Sequence, residues 1–226
     1  MQTTDTPTPA LAHLLDLLTL ERLDDHLFRG QSEDLGLPQV FGGQVVSQAL
    51  RAATMVVDAE RELHSCHCYF LRTGDANYPI IYQTEILREG RSFTSVSINA
   101  VQHDEVICRI MASFQVSEEG LDHQIPMPHV PEPEVFYSEN NWLKSLAPYM
   151  PLALHRFFAA DRPFDVRTEY PGNLFEQREP LPMTQFVWAK TQGPCLFDKS
   201  LQKCLLAYFS DVHGIMTRLQ RHGKGA

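Results

Sequence analysis

FGGQVVSQALRAATMVV, Phe41 to Val57, is where the period of the chain changes. Val45, Val46, Ala49, Leu50, Ala53 and Val57 recur at three- and four-residue spacing and mark one face of a helix. The helix is entered through Gly42 and Gly43, with Gln44 next. Paired glycines there let a ligand or another strand approach the backbone, and a helix start leaves amide N–H groups pointing at whatever sits in front of it. A carbonyl or anionic oxygen suits that position. Close packing of helix on sheet accounts for the glycines as well, and from this feature both readings stay open.

Beyond the helix, from His64 to Val116, the pattern becomes extended: HSCHCYFLR, PIIYQTEILRE, RSFTSVSINAVQ and EVICRIMASFQV. The breaks fall at Thr73-Gly74-Asp75, Glu89-Gly90 and His103-Asp104-Glu105, which is turn chemistry of hairpin length. One helix followed by an antiparallel meander makes an α+β fold. Ahead of it, Leu11, Leu14, Leu15, Leu17, Leu18 and Leu20 mark a short amphipathic helix, a strand is expected near His26 to Gly30, and QSEDLGLPQ (Gln31 to Gln39) is a polar loop.

Pro126, Pro128, Pro131 and Pro133 sit among acids, so residues 118–135 are a linker between an N-terminal domain, 1–117, and a C-terminal one, 136–226. In the latter, Asn141 to Phe158 is helical but broken by Pro148 and Pro151. PFDVRTEY (Pro163 to Tyr170) and MTQFVWAKT (Met183 to Thr191) alternate as strands. Asp198 then caps a second helix carrying Leu201, Cys204, Leu205, Tyr208, Val212, Ile215 and Leu219 on one face. The two halves follow one plan, a strand and then a long central helix, but only the first goes on to a meander. The second is expected to be truncated after its helix, leaving the isolated chain less stable than a complete version or else oligomeric.

Composition narrows the function. With Asp+Glu 28 against Lys+Arg 19, the formal charge of -9 repels a phosphate backbone, so nucleic acid is not an expected partner. No apolar run reaches the roughly 18 residues of a membrane span, and the start lacks the order of a signal peptide, so a cytoplasmic protein is expected. Five cysteines, an odd number, suit free thiols in a reducing compartment.

The sequence has no G-x-S-x-G elbow, no phosphate loop, no G-x-G-x-x-G and no H-E-x-x-H. His64, Cys66 and Cys68 invite a metal reading. On a regular strand these three share one face about 6.5 Å apart, too wide for one ion, and no metal is assigned. Asp211 is the sharpest single residue: three after Tyr208 and four before Ile215, it falls on or beside the apolar stripe. A carboxylate there must be paired, hydrogen-bonded or functional, and with a raised pKa and a held water it would be a general base. An exposed Asp at the edge of the stripe is the plain alternative. The bases Arg72, Arg88, Arg91, Arg156, Arg162 and Arg167 are scattered and read mostly as solvated surface, as do Arg218, Arg221 and Lys224 near the end.

FRGQSEDLGLPQVFGGQVVSQAL (Phe28 to Leu50), HSCHCYFLRTGD (His64 to Asp75), ILREGRSF (Ile86 to Phe93), MASFQ (Met111 to Gln115), DRPFDVR (Asp161 to Arg167) and AYFSDV (Ala207 to Val212) closely resemble the type II, TesB-like acyl-CoA thioesterases. The resemblance implies a double hotdog fold, two long helices each wrapped by an antiparallel sheet, with the second hotdog incomplete here. It implies hydrolysis of acyl-CoA to free acid and CoA without a covalent intermediate or cofactor, using an Asp, a Thr or Ser, and a Gln to orient the water. Asp211 takes the place of that Asp. The other two lie on strands after the second helix in the family, and no residue of this chain is assigned to either. Gly42, Gly43, Gln44 and His64 are the candidate substrate-binding residues. The implied partner is acyl-CoA, with a homo-oligomer as a further expectation. The alternative is a catalytically impaired member that binds acyl-CoA or assembles with partners.

Overall fold

The computed structural model describes residues 6–37, 39–169, 184–194 and 198–213. Contacts divide the chain into two compact units: His13–Gly120 with Cys195–Asp211, and Met1–Ala12 with Leu121–Pro194 and Val212–Ala226. The last helix thus groups with the N-terminal sheet, although it lies within the C-terminal domain, 136–226, read from the sequence.

In the first unit, helix α1 (Pro9–Leu17), which begins just ahead of it, precedes strands β1 (Glu21–Asp24) and β2 (Leu27–Gly30). Then come α2 (Gly42–Thr54), β3 (Arg61–Phe70), β4 (Ile80–Glu89), β5 (Phe93–Gln102) and β6 (Glu105–Val116). The six strands form one antiparallel sheet in the order β1-β2-β4-β5-β6-β3. The meander expected from the sequence is there, with β3 crossing over to the far edge. The four-residue β1, ERLD, is exposed throughout and carries no alternation that would reveal it.

Helix α2 is wrapped by this sheet, and ten of its thirteen residues are buried. Its small apolar residues Ala49, Ala52 and Ala53 allow close approach, and its buried polar groups are all bonded, as burial requires. Gln48 donates to the Leu17 carbonyl at 2.7 Å and accepts from the Tyr82 hydroxyl at 2.7 Å. From the sheet, Val96, Ile98 and Ala100 of β5 and Cys108, Ile110, Ala112 and Phe114 of β6 face the helix. The β5–β6 hairpin closes in two residues, His103 and Asp104, both at positive φ (50° and 62°), the backbone a tight hairpin with right-handed twist demands. Helix α5 (Lys199–His213) starts as expected at Asp198, whose carboxylate accepts from the Leu201 amide at 2.8 Å. Ile215 and Leu219, placed on the same face by the sequence, lie outside the described residues.

In the second unit, β7 (Tyr137–Ser138), β8 (Phe164–Thr168) and β9 (Val187–Thr191) form an antiparallel sheet. The broken helix appears as α3 (Glu139–Leu146) and α4 (Leu152–Ala159), parted where Pro148 and Pro151 cannot continue a helix. Tyr170 and Met183, read as strand ends, lie outside the described residues.

Candidate active site

Phe41, in extended conformation, precedes α2 without offering a side-chain cap. The first turn of an uncapped helix presents free N–H groups and the positive end of the helix dipole. A carboxylate from elsewhere in the unit fills this place. The Gly43 amide donates to Asp211, from the last turn of α5. Both glycines are needed for the approach. A Cβ on Gly42 would lie 2.6 Å from Asp211 Oδ2, and one on Gly43 would overlap the Tyr208 backbone carbonyl. The register of α5 along α2 is held by the Ser47 hydroxyl donating to the Cys204 carbonyl at 2.5 Å and by edge-on packing of Phe41 and Tyr208, ring centres 5.0 Å apart. At the other end of α5, Lys199 and Lys203 both pair with Glu62 of β3, at 2.7 and 2.8 Å.

Partial burial raises the pKa of Asp211 above its ordinary value, opposed by the Gly43 hydrogen bond, which favours the ionised form. Such a carboxylate is more basic than one in water. It lines a cleft of about 430 Å³ whose apolar wall includes Val40, Val45, Phe70 and Ile107, with Arg72 also on the lining.

Strand β3 supplies one wall through an irregularity the sequence does not announce. Leu63 pairs with Phe114 but Ser65 with Ser113, so His64 is an extra residue, a β-bulge. After it, Cys66, Cys68 and Phe70 stand opposite the inward-facing Ala112, Ile110 and Cys108, on the same face as Leu63. His64 points to the outer face, where it meets the Ser113 hydroxyl at 2.8 Å and the edge of Phe93. The expectation that His64, Cys66 and Cys68 share a face is therefore corrected: strict alternation fails at the bulge. Among the described residues no cluster of three or more His, Cys, Asp or Glu side chains is placed to hold a metal ion.

Of the residues singled out from the sequence, Gly42, Gly43 and Asp211 come together. Gln44 does not join them. Its buried amide accepts from the Glu33 backbone at 3.1 Å and donates to the Gln31 carbonyl at 3.0 Å, tying the 31–33 loop to α2. His64 lies on the opposite face of the sheet. Phe70 was not singled out, and Arg72 stood only among the scattered bases read mostly as solvated surface. Cys66, Cys68, Cys108 and Cys204 are free thiols, and burial pushes the pKa of Cys108 and of Cys204 up to about 12, so these two are inert. Cys195, Arg218, Arg221 and Lys224 lie outside the described residues.

Residues 31–115 match the family described as "Acyl-CoA thioesterase N-terminal domain". The chain is 53% identical over 215 residues to "Acyl-CoA thioesterase 2" of Haemophilus influenzae, covering 95% of this chain and 75% of that protein. Among solved structures it is similar to an acyl-CoA thioesterase II, TesB2, from Mycobacterium marinum, with 33% identity, a TM-score of 0.69, and coverage of 91% of this chain and 71% of the other. A protein of unknown function with a hot dog fold from Alicyclobacillus acidocaldarius, 21% identical, matches in fold with a TM-score of 0.66 over 92% of this chain and 73% of its own.

Proposed function

The chain belongs to the type II acyl-CoA thioesterases, and on that premise we propose that it hydrolyses acyl-CoA by a water that Asp211 orients and deprotonates. The observation that carries this reading is the Asp211 carboxylate lying against the glycine-opened, uncapped start of α2 beside an apolar cleft. A water held by Asp211 gives its proton to the carboxylate as its oxygen bonds to the thioester carbonyl carbon. The carbonyl oxygen becomes an oxyanion, for which first-turn amides of α2, Gly42 foremost, are the candidate donors. Collapse of the tetrahedral intermediate breaks the C–S bond. The thiolate leaves, takes up the proton from Asp211, and departs as CoA beside the free acid. No metal or cofactor is needed at any step.

Gly42 and Gly43 act in this reading through backbone approach. Gln44, and His64 on the far face, would act on substrate binding only indirectly, through the loop and the strand they fix. The division into hotdog domains 1–117 and 136–226 about a 118–135 linker belongs to the same reading, supported by the absence of helix or strand over residues 117–132. Its place is the acyl-CoA and fatty acid metabolism of the cytoplasm, which the free thiols support. Homo-oligomerisation is supported by β3, a ten-residue strand at the end of the sheet order.

The test is release of CoA from a short- and a long-chain acyl-CoA by the wild-type chain and by Asp211→Asn. Hydrolysis reduced by about a hundredfold or more in a folded variant is the expected result. A variant as active as wild type would remove Asp211 from the mechanism, and a folded, inactive wild type that still binds acyl-CoA would leave a binding protein.

A further inference from the structure

Acyl-CoA carries several phosphate charges, and a chain of net charge -9 repels it unless a base is placed where the ligand enters. Among the described residues lining the Asp211 cleft, Arg72 is the one base. Its backbone is fixed: the Leu71 and Arg72 amides both donate to the Ile107 carbonyl, at 2.8 and 3.1 Å. Its guanidinium is partly engaged. Nη1 donates to the Val106 carbonyl at 3.0 Å, and Nε pairs with Glu105 Oε2 at 3.2 Å, while the Nη2 edge has no protein partner among the described residues. Both members of that ion pair are about half exposed, 48% and 59%, so the pair is weak and screened by solvent. Asp75, in the turn that follows Arg72, accepts from the backbone and side-chain amides of Asn77. An arginine held at its base, with one free edge and one exchangeable carboxylate, is the arrangement that takes a phosphate by two parallel hydrogen bonds.

We propose that Arg72 binds a phosphate of the CoA moiety at the mouth of the cleft, and that Glu105 is the carboxylate this phosphate displaces. The inference rests on the reading of the chain as an acyl-CoA thioesterase and adds a residue that sets its preference for CoA over simpler thioesters. The terminal phosphate and the pyrophosphate of CoA share the same chemistry, and the assay separates them.

Hydrolysis is measured for the wild type, Arg72→Ala, Arg72→Lys and Glu105→Gln on three substrates with one acyl group: the acyl-CoA, the acyl-dephospho-CoA and the acyl-pantetheine. Arg72→Ala should raise KM for acyl-CoA roughly tenfold, the worth of one charge-assisted contact, and leave KM for acyl-pantetheine where it was. Arg72→Lys should recover part of the loss, and Glu105→Gln should lower KM for acyl-CoA, a change of the opposite sign. An effect kept on acyl-dephospho-CoA assigns the pyrophosphate, and one lost there assigns the terminal phosphate. An equal effect on acyl-pantetheine, or no change in KM on acyl-CoA, would overturn the proposal. Calorimetric titration of CoA itself into wild type and Arg72→Ala reads the contact without turnover. Should the chain bind CoA but hydrolyse nothing, the thioesterase reading fails while the Arg72 assignment is still decided by the two affinities.

Discussion

Gly43→Ala isolates the geometry of the site, because it adds one methyl group and keeps the amide that donates to Asp211. The added Cβ would stand about 1 Å inside ordinary van der Waals contact with the Tyr208 carbonyl oxygen and 2.5 Å from the Phe41 ring. The ring can turn. The carbonyl is helix backbone and can retreat only if α5 moves with it, against the Ser47 bond and the two lysine pairs on Glu62. Overpacking of this kind costs about 1–3 kcal/mol, of which helix propensity returns at most about 1 kcal/mol, leaving a net loss of up to about 2 kcal/mol even where that return is full. A shift of about 1 Å carries Asp211, three residues beyond Tyr208, out of place, and a displacement of that size costs about a hundredfold in rate. Gly42→Ala provides the contrast. Its Cβ meets only side-chain ends, Asp211 Oδ2 at 2.6 Å and Phe70 Cζ at 3.0 Å, so it should lower activity with little loss of stability. Urea melts give the stabilities, and CoA release gives the rates. A Gly43→Ala chain that melts and turns over like wild type would refute the claim that close contact of α5 with α2 sets the position of the carboxylate.

Asp211→Asn should reduce kcat/KM by about a hundredfold or more, the typical worth of a general base. Because the folded pKa of Asp211 is raised, activity should fall with acid through an apparent pKa above 3.8, and the ionised group opposes folding above that pKa. The Asn variant should therefore melt no lower than wild type at neutral pH, and a lower melt would count against that assignment. Glu62, held down to about 2 by hydrogen bonds from Lys199 and Lys203, contributes stability that is fully present above 4.5 and is lost as pH falls from there to about 2. Glu62→Gln should flatten that part of the stability profile, and an unchanged slope would mean the clamp carries nothing. Asp104, at φ 62° in the β5–β6 turn, should be stabilised by Asp104→Gly by about 0.5–1 kcal/mol, because glycine takes the left-handed conformation without strain; a lower melt would show that the aspartate side chain holds the turn.

What the sequence reveals is what local pattern determines. The change of period at Gly42, the turn chemistry between strands and the Asp198 cap each depend on neighbours a few residues away, and α2, β4 to β6 and the start of α5 stand where these place them. What it hides depends on partners far along the chain. The bulge at His64 is a fact of pairing with Ser113 and Phe114, and nothing in HSCHC records it. Gln44 follows the glycines and so reads as part of the site, yet its amide is claimed by Gln31 and Glu33. Arg72 looks like any surface arginine until the β3 crossover brings the end of that strand to the start of α2. Asp211 was legible because a carboxylate beside an apolar stripe needs a reason, but the reason itself, an uncapped helix start, is 168 positions earlier at Gly43.

The bulge also says how this strand tolerates change. What position 64 contributes is a count of one rather than an imidazole: with that residue present, Leu63 and Phe70 face the same way although they are seven apart, an odd number that strict alternation forbids. Replacing His64 preserves the count. Deleting it would restore regular pairing and force a choice, either Leu63 leaves the core or Cys66, Cys68 and Phe70 swing outward and Ser65, His67 and Tyr69 take over the wall of the cleft. In this strand, length is under tighter constraint than identity.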